Sequence, residues 1–429
     1  IPFIERSLSL LKHKGKQCFI IPFGLLNQPF GVKLRKLILD EFRIQSIVDL
    51  RDIKVFQDAT IPTCIPLICK GSVANYYVDI LRPYDLNFEK THEIDVEKYL
   101  NSDLYMFRTE NLGQSQNILN KVRAKAQNIT LADLFYLSTG AEIHGKEKRS
   151  EDGSLESGHS KFDVLSDTYK VGFKEYIEGS AIEKSKMGRY CFPKRNAYLN
   201  YEPKIMRSPK FPELFDSEKI IIRGSSGSLG ILATYDERKL YTPHKITIVI
   251  RKSDLPKSSN EFELSDIDLK YLLALINSSL FHFYYSSVYG GFIDVYPSSL
   301  KALPIPKLAK ESQQPFIEKA EMMLLKNKQL HEIKQSFIQL TQSKWSSLNI
   351  TGKLDEWYNH SFEAFRKELE KQKIKLTLQE QAEWLQYFYE QKQKAEILQQ
   401  TIAQTDKEID DLVYQLYELT DDEKAIINS

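Results

Sequence analysis

Hydrophobic and polar positions change their rhythm twice along this chain. Over residues 1–80, short apolar runs alternate with amphipathic stretches. Ile4, Leu8 and Leu11 recur at helical spacing and stop at Gly15. Cys18-Phe-Ile-Ile-Pro22 is continuously apolar, which predicts a buried parallel strand. Val32 to Phe42 predicts an amphipathic helix. Ile44–Leu50 and Ile61–Cys69 predict further strands, the second weakened by Pro62 and Pro66. This alternation predicts the tail of an α/β sheet. Residues 83–128 are polar and predict a connector with some helix. From 129 to 308, Tyr, Gly, Ser and Pro become frequent, and Ile220–Arg223, Gly230–Thr234 and Lys245–Ile250 predict short strands. Leu269 to Tyr285 predicts one buried helix. Lys146 to Ser160, charged and rich in Gly and Ser, predicts a mobile loop.

After Pro304-Ile-Pro-Lys307 the period becomes helical. Leu398, Ile402, Thr405, Ile409, Leu412, Leu416 and Leu419 alternate by four and three residues, a heptad seam with one polar slot. Phe316, Ala320, Met323, Leu330, Ile333, Phe337 and Leu340 form a looser second stripe. The two stripes predict an intramolecular helical pair, with helix-mediated self-association as the alternative.

Length changes the picture first: 429 residues predict two or three domains. The net charge of +1 gives no bulk argument for nucleic acid, so only a local patch can supply one. Cys18, Cys64, Cys69 and Cys191 form no C-x-x-C pair and predict reduced, packed thiols. No apolar run reaches the roughly 18 residues of a membrane helix, and no signal peptide opens the chain. The expectation is a cytoplasmic protein with no membrane partner.

A local patch does exist. Lys184 to Lys210 holds Lys184, Lys186, Arg189, Lys194, Arg195, Lys204, Arg207 and Lys210 against one acid, Glu202. Tyr190, Phe192, Tyr198 and Tyr201 are interleaved with them. Cations neutralise phosphates, and arginine reads guanine edges in the major groove. A solvated charged face is the plainer reading of such a run. Downstream, Lys219-Ile-Ile-Ile-Arg223-Gly-Ser225-Ser226-Gly is followed by Arg238 and by Tyr241-Thr-Pro-His244-Lys245.

These residues carry a resemblance. Asn200 to Ile250 resembles the TaqI-like specificity domain of type IIG restriction–modification enzymes. So do Tyr271-Leu-Leu-Ala-Leu-Ile-Asn-Ser-Ser-Leu-Phe281, Tyr296-Pro-Ser-Ser-Leu-Lys-Ala-Leu-Pro-Ile-Pro-Lys307 and Glu408-Ile-Asp-Asp-Leu-Val-Tyr-Gln-Leu-Tyr-Glu-Leu-Thr420. Phe3 to Lys70 resembles the back half of an adenine-N6 methyltransferase domain. The resemblance implies that Phe56, in Val55-Phe56-Gln-Asp-Ala-Thr60, stacks on an adenine rotated out of the duplex; a core aromatic at a strand start is the alternative. It implies double-stranded DNA as partner and Arg189, Lys194, Arg195, Lys204, Arg207, Lys210, Arg223, Ser225, Ser226, Arg238, His244 and Lys245 as DNA contacts. Asn277 is expected to pack structurally.

The family's Gly-rich loop for S-adenosylmethionine and its Asn/Asp-Pro-Pro-Tyr/Phe tetrad are expected before Ile1. No catalytic, cofactor-binding or metal-binding residue is therefore assigned. S-adenosylmethionine is expected in the full-length protein, and Mg only with an upstream nuclease. Gly224-Ser-Ser-Gly227-Ser-Leu-Gly230 has glycine spacing without the strand–loop–helix context of a nucleotide loop. Glu368-Leu-Glu370-Lys371 is a solvated helix face before it is a nuclease motif.

The expected fold is an α/β remnant of a Rossmann-like methyltransferase sheet, an α+β target-recognition domain, and long C-terminal helices. Its divisions are 1–82, a connector at 83–128, 129–308, and a helical or coiled-coil region at 309–429. The expected function is sequence-specific DNA recognition within an adenine-N6 methyltransferase of a type II (IIG) system, possibly fused to an endonuclease. A non-catalytic specificity subunit of a multi-subunit restriction system is the alternative.

Overall fold

A computed structural model describes residues 1–428 except 52, 57–60, 72–73, 86, 110–112, 114, 146–147, 150–154, 157–159, 184, 186–187, 257–265 and 290–294. Most of the expected loop 146–160 thus lies outside the described residues, as do Lys184 and Lys186.

The N-terminal layer follows the predicted alternation. Helix α1 (Pro2–Ser9) leads into the short strands β1 (Lys16–Cys18) and β2 (Ile21–Pro22), then helix α2 (Val32–Glu41) and strands β3 (Phe42–Asp49) and β4 (Thr63–Lys70). The expectation of a parallel strand at Cys18–Pro22 is corrected here. Both β1 and β2 pair antiparallel with β4, which in turn pairs antiparallel with β3. The apolar run thus points the same way as β3, but β4 lies between them. Pro66 explains the break into two strands: it falls opposite residues 19–20, between the Cys18–Leu67 and Ile21–Cys64 pairs, and a proline has no N–H to lend a ladder.

The sheet also runs on past residue 82. Strands β5 (Tyr77–Tyr84) and β6 (Asn87–Asp95) extend it, β5 parallel to β3 and β6 antiparallel to β5. Part of the expected connector is therefore sheet. Its residues are mostly exposed, and a strand wetted on both faces carries no apolar alternation to announce itself. Leu8, Leu26, Ile38, Ile44, Ile47, Ile68, Val78, Ile80 and Phe107 form the core under this layer.

Helix α3 (Ser115–Ala126) bridges to a four-stranded antiparallel sheet, order Ala233–Asp236, Lys219–Arg223, Ile246–Arg251, Phe135–Thr139. It is buried on both faces, which is why Ile220-Ile-Ile222 and Ile246 to Ile250 are near-continuous apolar runs. Ile220, Ile222 and Val249 pack against helices; Ile221, Ile248 and Ile250 pack on the opposite side. On that opposite side lie two small sheets, one pairing Glu142–Gly145 with Met206–Ser208, the other ordering Leu165–Ser166, Ala197–Leu199 and Lys174–Tyr176.

The predicted single helix over 269–285 is two: α4 (Leu269–Asn277) and α5 (Ser279–Tyr289). Ser278 leaves the helical region, and Asp410 accepts hydrogen bonds from the Ser279 N–H (2.7 Å) and hydroxyl (2.6 Å). A carboxylate from 131 residues away therefore caps the second helix. Asn277 is structural as expected: its amide donates to the Ala233 carbonyl (3.0 Å) and accepts from the Ala233 N–H (3.2 Å).

The two stripes lie on helices α6 (Lys310–Lys344) and, after α7 (Phe362–Lys371), α8 (Leu378–Leu416), except for Leu419, which falls past the end of α8. α6 and α8 run antiparallel against each other, as Lys319–Glu408 (2.6 Å) and Lys344–Glu380 (3.2 Å) show. Phe337, Trp357, Phe365 and Phe388 make an aromatic core between them, with Phe337 stacked on Trp357 at 3.9 Å. Glu368 is largely buried and accepts from Lys371 and Thr351, so it braces this core.

Candidate nucleic-acid interface

The turn joining β3 to β4 carries Phe56. Its stem is closed by hydrogen bonds from Leu50 N–H to the Thr63 carbonyl (3.2 Å) and from Phe23 N–H to the Pro62 carbonyl (2.8 Å). Asp49, 4% exposed, accepts the Arg51 guanidinium at 3.0 and 2.6 Å and the Thr109 hydroxyl at 2.8 Å. The Arg51 guanidinium lies 4.1 Å over the Phe23 ring. Burial pushes the Asp49 carboxyl up, but Arg51 and Thr109 outweigh it and hold the group below the usual carboxylate range. The base of the turn is therefore clamped. Phe56 itself is 47% exposed, beside exposed Ile53, Val55 and Ile61. It is not a core aromatic.

Hydrogen bonds lead from this layer to the central domain. The Leu26 carbonyl accepts from Phe107 N–H (2.8 Å), and the Asn27 amide donates to the Tyr289 carbonyl at the end of α5. Val295 N–H then donates to Gly224, and Gly224 N–H to the Lys245 carbonyl (3.0 Å). Gly224 has to be glycine, because a Cβ there would sit 2.3 Å from the Lys245 carbonyl oxygen. The path ends at His244 and Lys245, both exposed.

A bridge between Ala141 and Pro243 sets His244 beside the strand Glu142–Gly145, whose partner carries Arg207. Arg207 is exposed and reaches Glu142 at 3.4 Å; Lys204 is exposed on the turn before it. His244, Lys245, Lys204 and Arg207 thus share one margin of the central domain. Lys210, half-buried, follows the Arg207 strand, its backbone N–H and carbonyl both held by the Tyr201 hydroxyl.

Other candidates lie elsewhere. Arg195 stacks on Tyr198 at 4.1 Å and meets Glu175 at 3.4 Å. Arg238 donates to the Pro193 carbonyl (2.9 Å) and lies 4.4 Å over Phe192, toward α6. Lys194 is exposed beside His331 and Lys334 of α6, around a cavity of about 410 Å³.

Three expected contacts turn inward. Arg189 is 8% exposed, and its charge bears on the half-buried Asp410, whose carboxyl burial pushes above the usual range. The Arg223 guanidinium donates to the Ser225 (2.8 Å), Gly179 (2.9 Å) and Ile182 carbonyls, so it splints two loops and is half withdrawn from solvent. The Ser225 carbonyl is spent on that splint. The Ser226 hydroxyl, fully buried, donates to the Gly230 carbonyl. Arg223 and Ser226 therefore act as internal braces in this structure, and Arg189 is buried beside Asp410. Residue type announced the cation, but only the fold says which way it faces.

Asp49 and Arg51 had escaped the sequence reading. Their one signal is an Asp-Leu-Arg triplet at the end of a predicted strand, beside the candidate turn. The glycine-spaced stretch Gly224–Gly230 joins two antiparallel strands, as its lack of strand–loop–helix context implied.

Residues 174–305 match the TaqI-like C-terminal specificity domain, residues 1–56 the Eco57I restriction-modification methylase, and residues 309–413 a domain of unknown function (DUF8810). The type II methyltransferase M.BstVI of Geobacillus stearothermophilus is 33% identical over 82 residues, which is 19% of this chain and 14% of that protein. The type II restriction enzyme and methyltransferase RM.Eco57I of Escherichia coli is 28% identical over 119 residues, 28% of this chain and 11% of its own length. The type IIL restriction-modification enzyme MmeI, solved in complex with DNA, aligns over 89% of this chain and 50% of its own, with 12% identity and a TM-score of 0.42. The matched stretches are a small part of both curated relatives. The resemblance to the C-terminal part of type IIG restriction–modification enzymes rests on the two family matches and their order along the chain.

Proposed function

We propose that this chain, which pairs an Eco57I-type methylase segment with a TaqI-like specificity domain, reads DNA for an adenine-N6 methyltransferase of a type II (IIG) restriction–modification system. Its central domain binds the duplex along the margin of Lys204, Arg207, His244 and Lys245. Phe56 supplies one wall of the pocket for an extruded adenine. The observation that carries the reading is Phe56 itself, a half-exposed aromatic on a turn whose base is clamped by Asp49 and Arg51. A clamped stem with an exposed ring suits stacking, because the ring need not be ordered when the base arrives.

The full-length protein would use S-adenosylmethionine as methyl donor. The described residues of the N-terminal sheet do not fit it: no glycine-rich strand–loop–helix turn occurs among them, so no step is derived through that group. No three described His, Cys, Asp or Glu side chains gather as metal ligands. No helix among the described residues is long and apolar enough to cross a membrane.

The test is fluorescence anisotropy of this chain on two duplexes, one fully paired and one with a single unpaired adenine. Binding to both should weaken with salt at a slope of about −0.9 per phosphate contacted. Phe56→Ala should cost about 1–3 kcal/mol on the duplex with the unpaired adenine, a stacking contact's worth, and little on the other. Equal losses on both would remove Phe56 from the base pocket. Absence of salt-sensitive binding would refute the DNA reading as a whole, and methyl transfer by this chain alone would refute its division of labour.

A further inference from the structure

The two-stranded ribbon of Glu142–Gly145 and Met206–Ser208 is irregular at its arginine. Met206 pairs with Gly145 and Ser208 with Glu142, so Ile143 and His144 together stand opposite Arg207. Such a bulge bends the strand, sharpens its twist and re-aims the side chains around it. The back of the ribbon is fixed. Ile143 and Met206 are buried in the core below, which also holds Leu214, Phe215 and Tyr241. The entry to the ribbon is pinned by hydrogen bonds from Gly140 N–H to the Ile246 carbonyl and from Ala141 N–H to the Thr242 carbonyl, both at 3.0 Å. Its exit is pinned by the Tyr201 hydroxyl, which holds the Lys210 backbone while the Tyr201 ring packs edge-on against Phe215 and Tyr241. Arg207, its side chain 59% exposed, alternates with the buried Met206 and so stands outward on a rigid support.

Glu142 sets this arginine apart from the other cations of the margin. Its Oε2 lies 3.4 Å from Arg207 Nε. A carboxylate there works against a phosphate contact, because it offsets the cation's charge and repels the anion. It does not work against a neutral base edge. A guanidinium held at Nε keeps its two terminal nitrogens, whose fixed fork matches the O6 and N7 acceptors of guanine. The major groove, about 12 Å wide, admits a two-stranded ribbon. Lys204, on the turn before the Arg207 strand, and Lys245, on the same margin, are exposed and suit the flanking phosphates.

We propose that this ribbon enters the major groove, that Arg207 reads a guanine there, and that Glu142 is the positioning residue that holds its fork. The inference rests on the DNA reading above. It adds which residue of the margin carries sequence information and which base that residue selects. Lys204, His244 and Lys245 then fix the register on the duplex and do not specify.

The test selects bound duplexes from a randomised library with the full chain, then measures anisotropy on the selected duplex and on its single-base variants. Arg207→Lys keeps the charge and removes the fork. It should lower the preference for guanine at one position by about tenfold, the discrimination of one bidentate pair, and leave the other positions alone. Glu142→Gln should relax that same position and no other. Lys245→Ala should weaken all duplexes alike and lower the salt slope by about 1. Both ribbon side chains reach solvent, so neither change disturbs the core. A preference that Arg207→Lys leaves intact, or a uniform loss on every sequence, overturns the inference and leaves the DNA reading standing. Relaxation at a position that is not a G·C pair overturns it as well, and a Glu142→Gln profile identical to the unchanged chain's overturns the role of Glu142. Absence of salt-sensitive binding to any duplex removes the DNA reading, and this inference with it.

Discussion

Lys219 and Asp236 form an ion pair at 2.5 Å with both side chains 0% exposed, inside the central sheet. Asp236 also accepts from the Arg238 N–H (3.0 Å) and the Leu240 N–H (2.9 Å), and Lys219 donates further to the Phe215 and Ser217 carbonyls. Burial pulls the Lys219 ammonium below its ordinary range against the opposing pull of Asp236. Asp236→Asn keeps the shape and can keep a backbone bond, but leaves a buried ammonium with neutral carbonyls alone. Removing one partner of such a pair costs about 3–5 kcal/mol. Lys219→Met with Asp236→Asn should recover much of that, because no isolated charge then remains.

The chain has several cores and need not unfold in one step, so a global transition is the wrong readout. Hydrogen exchange of the amides in 219–223 and 246–251 measures the local opening energy directly. DNA affinity per folded chain should not change in either variant, and salt should not alter the cost, because neither group meets solvent ions. A loss under about 1 kcal/mol for Asp236→Asn would refute the claim of a dry, mutually dependent pair. A selective loss of DNA binding would make Lys219 a phosphate contact.

Two further outcomes follow from the packing. Asn277→Ala should cost about 2–4 kcal/mol, because it strands both the N–H and the carbonyl of Ala233 in the core; faster exchange confined to 233–236 would confirm the site. Burial, then the charges of Lys334, Lys194 and Arg238, hold His331 below its usual 6.5, with Asp355 opposing. The folded chain thus binds fewer protons there than the unfolded chain, so this stability is complete above the unfolded value and falls as pH drops from about 6.5 toward the folded value. Urea midpoints of the region around α6 should show that decline, and His331→Gln should flatten it.

The sequence announced the elements that bury one continuous apolar set. Helices α1 and α2, strands β3 and β4, two strands of the central sheet (Lys219–Arg223 and Ile246–Arg251) and the α6–α8 pair lie where periodicity put them, because local spacing fixes which residues a core can take; the strand expected at Gly230–Thr234 lies instead at Ala233–Asp236, and Phe135–Thr139 was not expected. Pairing partners were not legible. Cys18–Pro22 looks like any buried strand, and nothing local tells it that β4 will fold back between it and β3. The break at Ser278 is similarly distant in origin, since its cap comes from Asp410. Strand β6 escaped for the opposite reason: a solvated edge has no core face to inscribe.

The candidate site divides along the same line. A count of lysines and arginines can locate a basic stretch, but the direction of each side chain is set by what its backbone neighbours need. Arg223 sits where two loops leave carbonyls unpaired, and a guanidinium with five donors satisfies three of them at once. Arg189 lies near a helix whose half-buried Asp410 already caps another, so its charge is called on there. Lys204, Arg207, His244 and Lys245 have no such demand, and these remain at the surface. An Arg223→Ala change should therefore loosen the 179–182 loop and depress binding to every sequence alike, whereas a base-reading arginine would relax specificity at one position by about 1–3 kcal/mol. Anisotropy across a panel of single-base variants separates these outcomes. Sequence-selective loss at Arg223 would mean that DNA pulls the guanidinium out of its three carbonyls, and that the inward cations are a store for recognition and not its scaffold.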